Sequence, residues 1–177
     1  MELKSPKGIL QYARIFLLYL RAFPKCERKP FSVILKWYKK GKSDIWYFSD
    51  DRGFLGFSTT INGEREILVD YLAVSEKRRS SGNGTKMIQS LVNHYAPLGV
   101  FLEIEMLDEH AANYPERVRR RSFYLSAGLE PLDTYVKLFG VDMELLGVRC
   151  SMDFEKYHSF YLENYGRFAY DNITTVE

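Results

Sequence analysis

The stretch best suited to chemistry is Glu76-Lys77-Arg78-Arg79-Ser80-Ser81-Gly82-Asn83-Gly84-Thr85. An apolar run at 66–74 precedes it, and helical spacing over 85–95 follows. Glycine at two alternating positions lets backbone N–H groups approach a ligand with no Cβ in the way. The loop opens into a helix N-terminus, where unsatisfied N–H groups and the helix dipole favour an anion. Lys77, Arg78 and Arg79 add positive potential. The segment therefore suits a pyrophosphate. Two common phosphate motifs are excluded: there is no Gly-x-x-x-x-Gly-Lys-Ser/Thr loop, and no complete Gly-x-Gly-x-x-Gly after a strand. An ordinary turn would explain a lone Gly-x-Gly equally well.

Carboxylates are the next candidates. Residues 99–105 read as a strand, and period-two alternation puts Glu103 and Glu105 on one face. Either could take a proton from a nucleophile; either could equally be a salt-bridged strand residue. Asp70 lies on the strand leading to the glycine loop, and Glu27 lies in Phe23-Pro24-x-x-Glu27-Arg28. Cys26 beside it has no visible His to activate a thiol. Cys26 and Cys150 form no CxxC pair, and His94, His110 and His158 are isolated, so no metal site is expected. The run Arg117-Val118-Arg119-Arg120-Arg121 reads as a solvated charged face. Tyr157, Tyr161 and Tyr165 read as packing residues.

The elements that must position these residues follow from spacing. Ile9, Leu10, Ala13, Phe16, Leu17 and Leu20 recur at helical spacing over 7–22, with Phe23-Pro24 as the stop. A second helix is predicted over 30–40. Strands are predicted at 44–49 and 54–61, joined by the turn residues Asp50-Asp51-Arg52-Gly53. Residues 66–74 are apolar almost throughout, as for a strand buried on both faces. A helix over 85–95 and the strand at 99–105 come next. Pro115 then opens a helix that ends near Ala127, with Gly128 as its stop. Strands at 134–139 and 142–149 and a helix over 153–168 complete the order. The class is α/β of α+β type, a single domain over 1–177 with a central mixed, mostly antiparallel sheet flanked by helices.

Arg79-x-x-Gly82-x-Gly84 after Leu72-Ala73-Val74 resembles the Gln/Arg-x-x-Gly-x-Gly/Ala motif of the Gcn5-related N-acetyltransferases. The resemblance implies that backbone amides of Arg79, Ser80, Ser81, Gly82, Asn83, Gly84 and Thr85 hold the pyrophosphate of acetyl-CoA. It implies that Leu72 and Val74 at the strand end meet the pantetheine. Phe123-Tyr124-x-x-x-Gly128-Leu129 is similar to the late-helix signature of the same family, which implies that Tyr124 protonates the departing thiolate. Leu102-Glu103-Ile104 resembles its Leu-Glu-Val strand, which implies Glu103 as general base, with Glu105 in reserve. Arg117 stands where the family usually carries Asn, and Asn113 lies further back. Glu27 falls where the first helix pair of this family borders the acceptor, so Glu27, Asp70 and Glu105 are expected at the substrate. The implied activity is acetyl transfer from acetyl-CoA to a primary amine, with no metal. A non-catalytic acyl-CoA-binding module is the alternative.

The 177 residues carry a net charge of +2, distributed unevenly. Residues 1–42 hold eleven Lys or Arg against Glu2 and Glu27, a net of +9, and the remainder is −7. With no nucleic-acid motif beside it, the basic segment reads as a solvated helical face, and no nucleic-acid partner is expected. The apolar run Ile15–Leu20 is too short to span a membrane and is flanked by Arg14 and Arg21. No small-residue cleavage site follows it. Two distant thiols fit a reducing compartment. The expectation is a cytoplasmic monomer or homodimer with no membrane partner.

Overall fold

The computed structural model describes residues 1–176. By their contacts they form two compact units, one comprising 1–62 and 69–91, the other 63–68 and 92 onward. The first unit contains β1 (Glu2–Lys4), α1 (Gly8–Ala22), α2 (Phe31–Lys39), β2 (Ser43–Asp50), β3 (Gly53–Asn62), most of β4 (Glu66–Val74) and most of α3 (Asn83–His94). The second contains the start of β4, then β5 (Gly99–Glu105), α4 (Tyr114–Ser126), β6 (Glu130–Leu138), β7 (Val141–Val148), α5 (Phe154–Tyr165), α6 (Arg167–Tyr170) and β8 (Ile173–Thr175). The strands follow the order β1-β2-β3-β4-β5-β7-β6-β8. β4 and β5 are parallel, with Glu66–Leu68 against Gly99–Phe101. The β1–β2, β2–β3, β5–β7, β6–β7 and β6–β8 pairs are antiparallel, giving the mixed, mostly antiparallel sheet that was expected.

In the first unit, Ile15, Leu18 and Tyr19 of α1 and Ile34 of α2 pack with Ile45, Tyr47, Phe57, Tyr71 and Ala73 of the strands. Tyr71 is met edge-on by Tyr19 at 4.9 Å and by Phe23 at 4.8 Å, the geometry the ring quadrupoles prefer. β3 approaches β4 so closely at Gly56 that a Cβ there would lie 2.2 Å from the Ala73 carbonyl oxygen. Helix α1 forms where the spacing placed it, but its buried face is not the one the spacing marks. Ile9, Leu10, Ala13, Phe16, Leu17 and Leu20 all face solvent, and Ile15, Leu18 and Tyr19 enter the core. The helix is apolar around most of its circumference, so periodicity cannot choose a side. The choice falls to the side carrying Tyr19, whose hydroxyl donates to the Lys29 carbonyl at 2.8 Å.

The second unit packs α5 onto β5, with Phe101 meeting Phe160 at 5.2 Å and Tyr157 at 6.5 Å between ring centres. The helix expected over 153–168 is interrupted at Gly166, whose φ of +85° is outside the helical range, so α5 and α6 are separate. Strand β6 begins at Glu130 rather than 134, across an irregular register between Pro131 and Tyr135. Pro131 has no N–H to give the ladder, which masks the strand in the sequence. β1 and β8 are three-residue strands, too short for alternation to reveal.

Candidate functional site

The glycine loop is held from its base. Strand β4 stops at Val74, and the Ser75 N–H donates to the Leu55 carbonyl at 2.8 Å. A single 3-10 turn follows at Glu76–Arg78. Arg79 Nε returns to the Val74 carbonyl at 3.2 Å, Asn83 Nδ2 donates to the Arg78 carbonyl at 2.7 Å, and Arg78 is ion-paired with Asp50. Between these anchors Ser80 and Gly82 take left-handed backbone, φ +61° and +69°, and residues 79–82 are exposed. A Cβ on Gly82 would meet nothing within 4 Å. Helix α3 starts at Asn83, two residues before the expected Thr85, so Asn83, Gly84 and Thr85 form its first turn. Their amides have no acceptor within the helix. The loop is thus an exposed turn with two left-handed residues that leads into the first turn of α3, with Lys77 and Arg79 exposed beside it.

In the same unit, the segment after α1 is clamped onto β4. Glu27 ends a 3-10 turn at Lys25–Glu27, and its carbonyl accepts the Tyr71 hydroxyl at 2.7 Å. The same hydroxyl accepts the Lys29 N–H at 3.1 Å. Lys29 Nζ is ion-paired with Asp70 and stands 5.2 Å above the Tyr71 ring centre. Burial, with the Asp70 charge second, raises the Tyr71 pKa, so its hydroxyl stays a donor. Asp70 and the segment carrying Glu27 are thus brought together through Lys29 and Tyr71, which the sequence did not flag. Leu72 and Val74 lie further along the same strand, partly exposed.

In the second unit, Glu103 Oε1 accepts both the Tyr157 hydroxyl at 2.8 Å and the Tyr161 hydroxyl at 2.7 Å. Burial, then the Glu103 charge, pushes the Tyr161 pKa well up. These tyrosines are buried packing residues, as read from sequence, but they also fix a candidate base. The available signal was their i, i+4 spacing together with the rule that buried tyrosine hydroxyls find partners. Glu105 has a different set. It pairs with Arg117 at 3.0 Å and Arg120 at 3.0 Å, and accepts from Asn113 Nδ2 at 3.2 Å. Arg117 also donates to Asn113 Oδ1 and to the Met106 carbonyl. Arg121 grips buried Glu144 through two bonds of 2.8 and 2.9 Å. The arginine run is therefore not a solvated face. Arg117, Arg120 and Arg121 neutralise strand carboxylates, and Arg119 alone of the four pairs within its exposed helix turn, to Glu116.

Tyr124 sits in the last turn of α4, partly exposed. Burial raises its hydroxyl pKa, opposed by the Arg120 charge, so it is protonated at neutral pH. Its spacing to Gly128 has a backbone cause. The Leu129 N–H returns to the Tyr124 carbonyl at 3.2 Å and the Gly128 N–H to Leu125 at 3.0 Å, a Schellman stop that needs the positive φ of Gly128, +98°. Tyr-x-x-x-Gly-Leu is therefore a helix terminator whatever the hydroxyl does. Of the two thiols, Cys26 is exposed, and burial pushes the Cys150 pKa to about 11.

No family model matches the chain, and no curated protein does. Solved structures do. A protein of Bacteroides thetaiotaomicron assigned to the GNAT family of acetyltransferases superposes with TM-score 0.78 at 21% identity, covering 94% of this chain and 99% of that one. An aminoglycoside 6'-N-acetyltransferase complexed with coenzyme A gives 0.64 at 14% identity, covering 84% and 96%. A Bacillus subtilis acetyltransferase in complex with CoA gives 0.58 at 12%, covering 83% and 95%. At these identities the likeness is one of architecture, and the chain has the fold shared by the Gcn5-related N-acetyltransferases.

Proposed function

We propose that this protein is an N-acetyltransferase that moves the acetyl group of acetyl-CoA to a primary amine, with its two units acting as one acyl-CoA N-acyltransferase domain over 1–177. The observation that carries this reading is the 79–85 loop, where two left-handed residues in an exposed turn lead directly into the N-terminus of α3. The amides of 80–85 take the pyrophosphate, and Leu72 and Val74 meet the pantetheine arm. Solved proteins of this fold with coenzyme A bound support that assignment. The acceptor amine gives a proton to Glu103, and its nitrogen attacks the thioester carbonyl carbon. A backbone N–H of the central strands stabilises the oxyanion. The C–S bond then breaks, and Tyr124 protonates the thiolate. A tyrosine hydroxyl that keeps its proton at neutral pH is available for that last role. Glu27, Asp70 and Glu105 face the acceptor, and the protein works in the cytoplasm.

The second reading is a non-catalytic acyl-CoA-binding module. It is favoured by Glu103 and Glu105 each being already engaged by side-chain partners. Thiol release from acetyl-CoA across a panel of amines separates the two, measured for the parent and Tyr124→Phe. Turnover that falls at least about tenfold in Tyr124→Phe supports catalysis with this tyrosine as acid. Acetyl-CoA binding without turnover on any amine selects the module, and absence of binding removes both.

A further inference from the structure

Helix α1 carries on its solvent side an apolar row that the fold engages only at Phe16, whose ring meets Phe31 of α2 at 5.1 Å. Ile9 is 85% exposed, Leu10 75% and Leu17 53%, and Ala13, Phe16 and Leu20 complete the row. At the rise and turn of an α-helix these six cover roughly 16 Å of length and about a third of the circumference. Scattered exposed apolar residues are ordinary, but a contiguous row marks an interaction surface. Its surroundings are cationic. Helix α1 contains no Asp or Glu, Arg21 and Arg14 lie on it, and Lys7 precedes it. Lys36, Lys39 and Lys40 are exposed at the end of α2. Over residues 1–42 the net charge is +9, and of the two acids there Glu2 is paired with Lys4.

The charge selects the occupant. A second copy joined symmetrically through α1 would bring two +9 segments together, which is repulsive. A single helix is also a convex ridge, and a protein partner would need a groove to receive it. A bilayer takes such a ridge into the boundary between headgroups and acyl chains while lysine and arginine meet the lipid phosphates. We propose that α1 docks this protein peripherally on an anionic lipid surface, through the Ile9–Leu20 row with Lys7 and Arg21 at the headgroups. No described helix is long and apolar enough to cross a membrane, and none is required to. The sequence expectation of no membrane partner rested on the shortness of the apolar run, which excludes a span and not a surface contact. The proposal does not depend on acetyl transfer.

The test is co-sedimentation of the full chain with vesicles of phosphatidylcholine alone or mixed with phosphatidylglycerol, at low and high salt. Leu10→Asp/Leu17→Asp removes the apolar contact, and Lys7→Gln/Arg21→Gln removes charge. Thermal midpoints establish that each variant folds. Expected is binding to the anionic vesicles alone, weakened by salt. The aspartate pair should lower it at least about tenfold and the glutamine pair by about fivefold per charge. Absence of binding to anionic vesicles overturns the proposal. So does equal binding to phosphatidylcholine, or undiminished binding by a folded aspartate pair. Self-association in sedimentation velocity that the aspartate pair abolishes, without vesicle binding, would assign the row to a second copy instead.

Discussion

Two glycines make a matched test of the phosphate loop. Gly82 in the loop has φ +69°, and Gly41 after α2 has φ +70°. At both, an added Cβ meets nothing within 4 Å. Alanine therefore brings the same penalty at each, that of left-handed backbone in a residue with a Cβ, about 1–2 kcal/mol. For a chain of this size that lowers the thermal midpoint by roughly 2–8 °C. The ligand distinguishes the two positions. Acetyl-CoA at ~100 times its dissociation constant adds about 2.7 kcal/mol, a rise of roughly 5–11 °C in the parent. The Gly41→Ala variant should keep that whole rise from its lower starting point. If the loop holds the pyrophosphate, the methyl of Gly82→Ala stands in the open space beside the ligand, and a tenfold weaker affinity would remove about 1.4 kcal/mol of the stabilisation. Differential scanning fluorimetry across an acetyl-CoA titration reads all three proteins. Equal ligand shifts in the two variants would show that the loop is an ordinary turn, and no shift in the parent would refute acyl-CoA binding altogether.

Other outcomes follow from the contacts in the second unit. Glu103→Gln keeps an oxygen acceptor for Tyr157 and Tyr161, so stability should fall by only about 2 kcal/mol as two charge-assisted bonds become neutral ones. Turnover should fall by about 10²–10⁴ if Glu103 is the base; unchanged turnover would make it a strut. Arg121→Met leaves Glu144 buried without its bidentate partner, a loss of up to about 3–5 kcal/mol, reduced by the partial exposure of the arginine. Urea denaturation measures it, and Arg121→Met/Glu144→Leu should recover most of the loss. Burial raises the Cys150 pKa from 9.0 to about 11, so above pH ~9 the unfolded chain sheds a proton that the native chain retains, and stability falls as pH rises. Cys150→Ala should remove the part of this decline between about pH 9 and 11, leaving the part above pH ~10 due to the tyrosines whose pKa values are also raised, Tyr71, Tyr124 and Tyr161 among them. Thermal midpoints measured across that range decide it.

What was legible in the sequence is what depends on near neighbours. β4 and β5 were found at their observed bounds because both are apolar runs bounded by polar or turn residues. The α4 stop was found because Gly128 is where a left-handed residue must stand. The loop was found because two glycines precede a helical stripe. The side chains that fix the candidate carboxylates were not found, because their partners are remote along the chain. Tyr157 and Tyr161 reach Glu103 across more than fifty positions, and Lys29 reaches Asp70 across forty-one. The arginine run shows the same limit: one-dimensional charge clustering looks like solvation until β5 and β7 bring Glu105 and Glu144 beneath it.

Helix α1 shows a different limit. The six apolar positions singled out by spacing share one face, so the periodicity was right. The core nevertheless takes Ile15, Leu18 and Tyr19 from the other side. A helix whose two faces can both be buried has to be oriented by something other than hydrophobicity. Here the polar tip of Tyr19 reaches the Lys29 carbonyl, and its ring meets Tyr71 and Phe31. Rotating α1 to bury Leu10 and Leu17 would leave that hydroxyl without its acceptor and the Tyr71 ring without one of its two edge contacts. The row left outside is thus a by-product of a core settled by polar satisfaction, retained beside eleven cationic residues of the first forty-two and only two acids. Apolar side chains with no structural duty can be exchanged for aspartate without unfolding the protein, so vesicle binding by the Leu10→Asp/Leu17→Asp variant reports on docking and not on the fold.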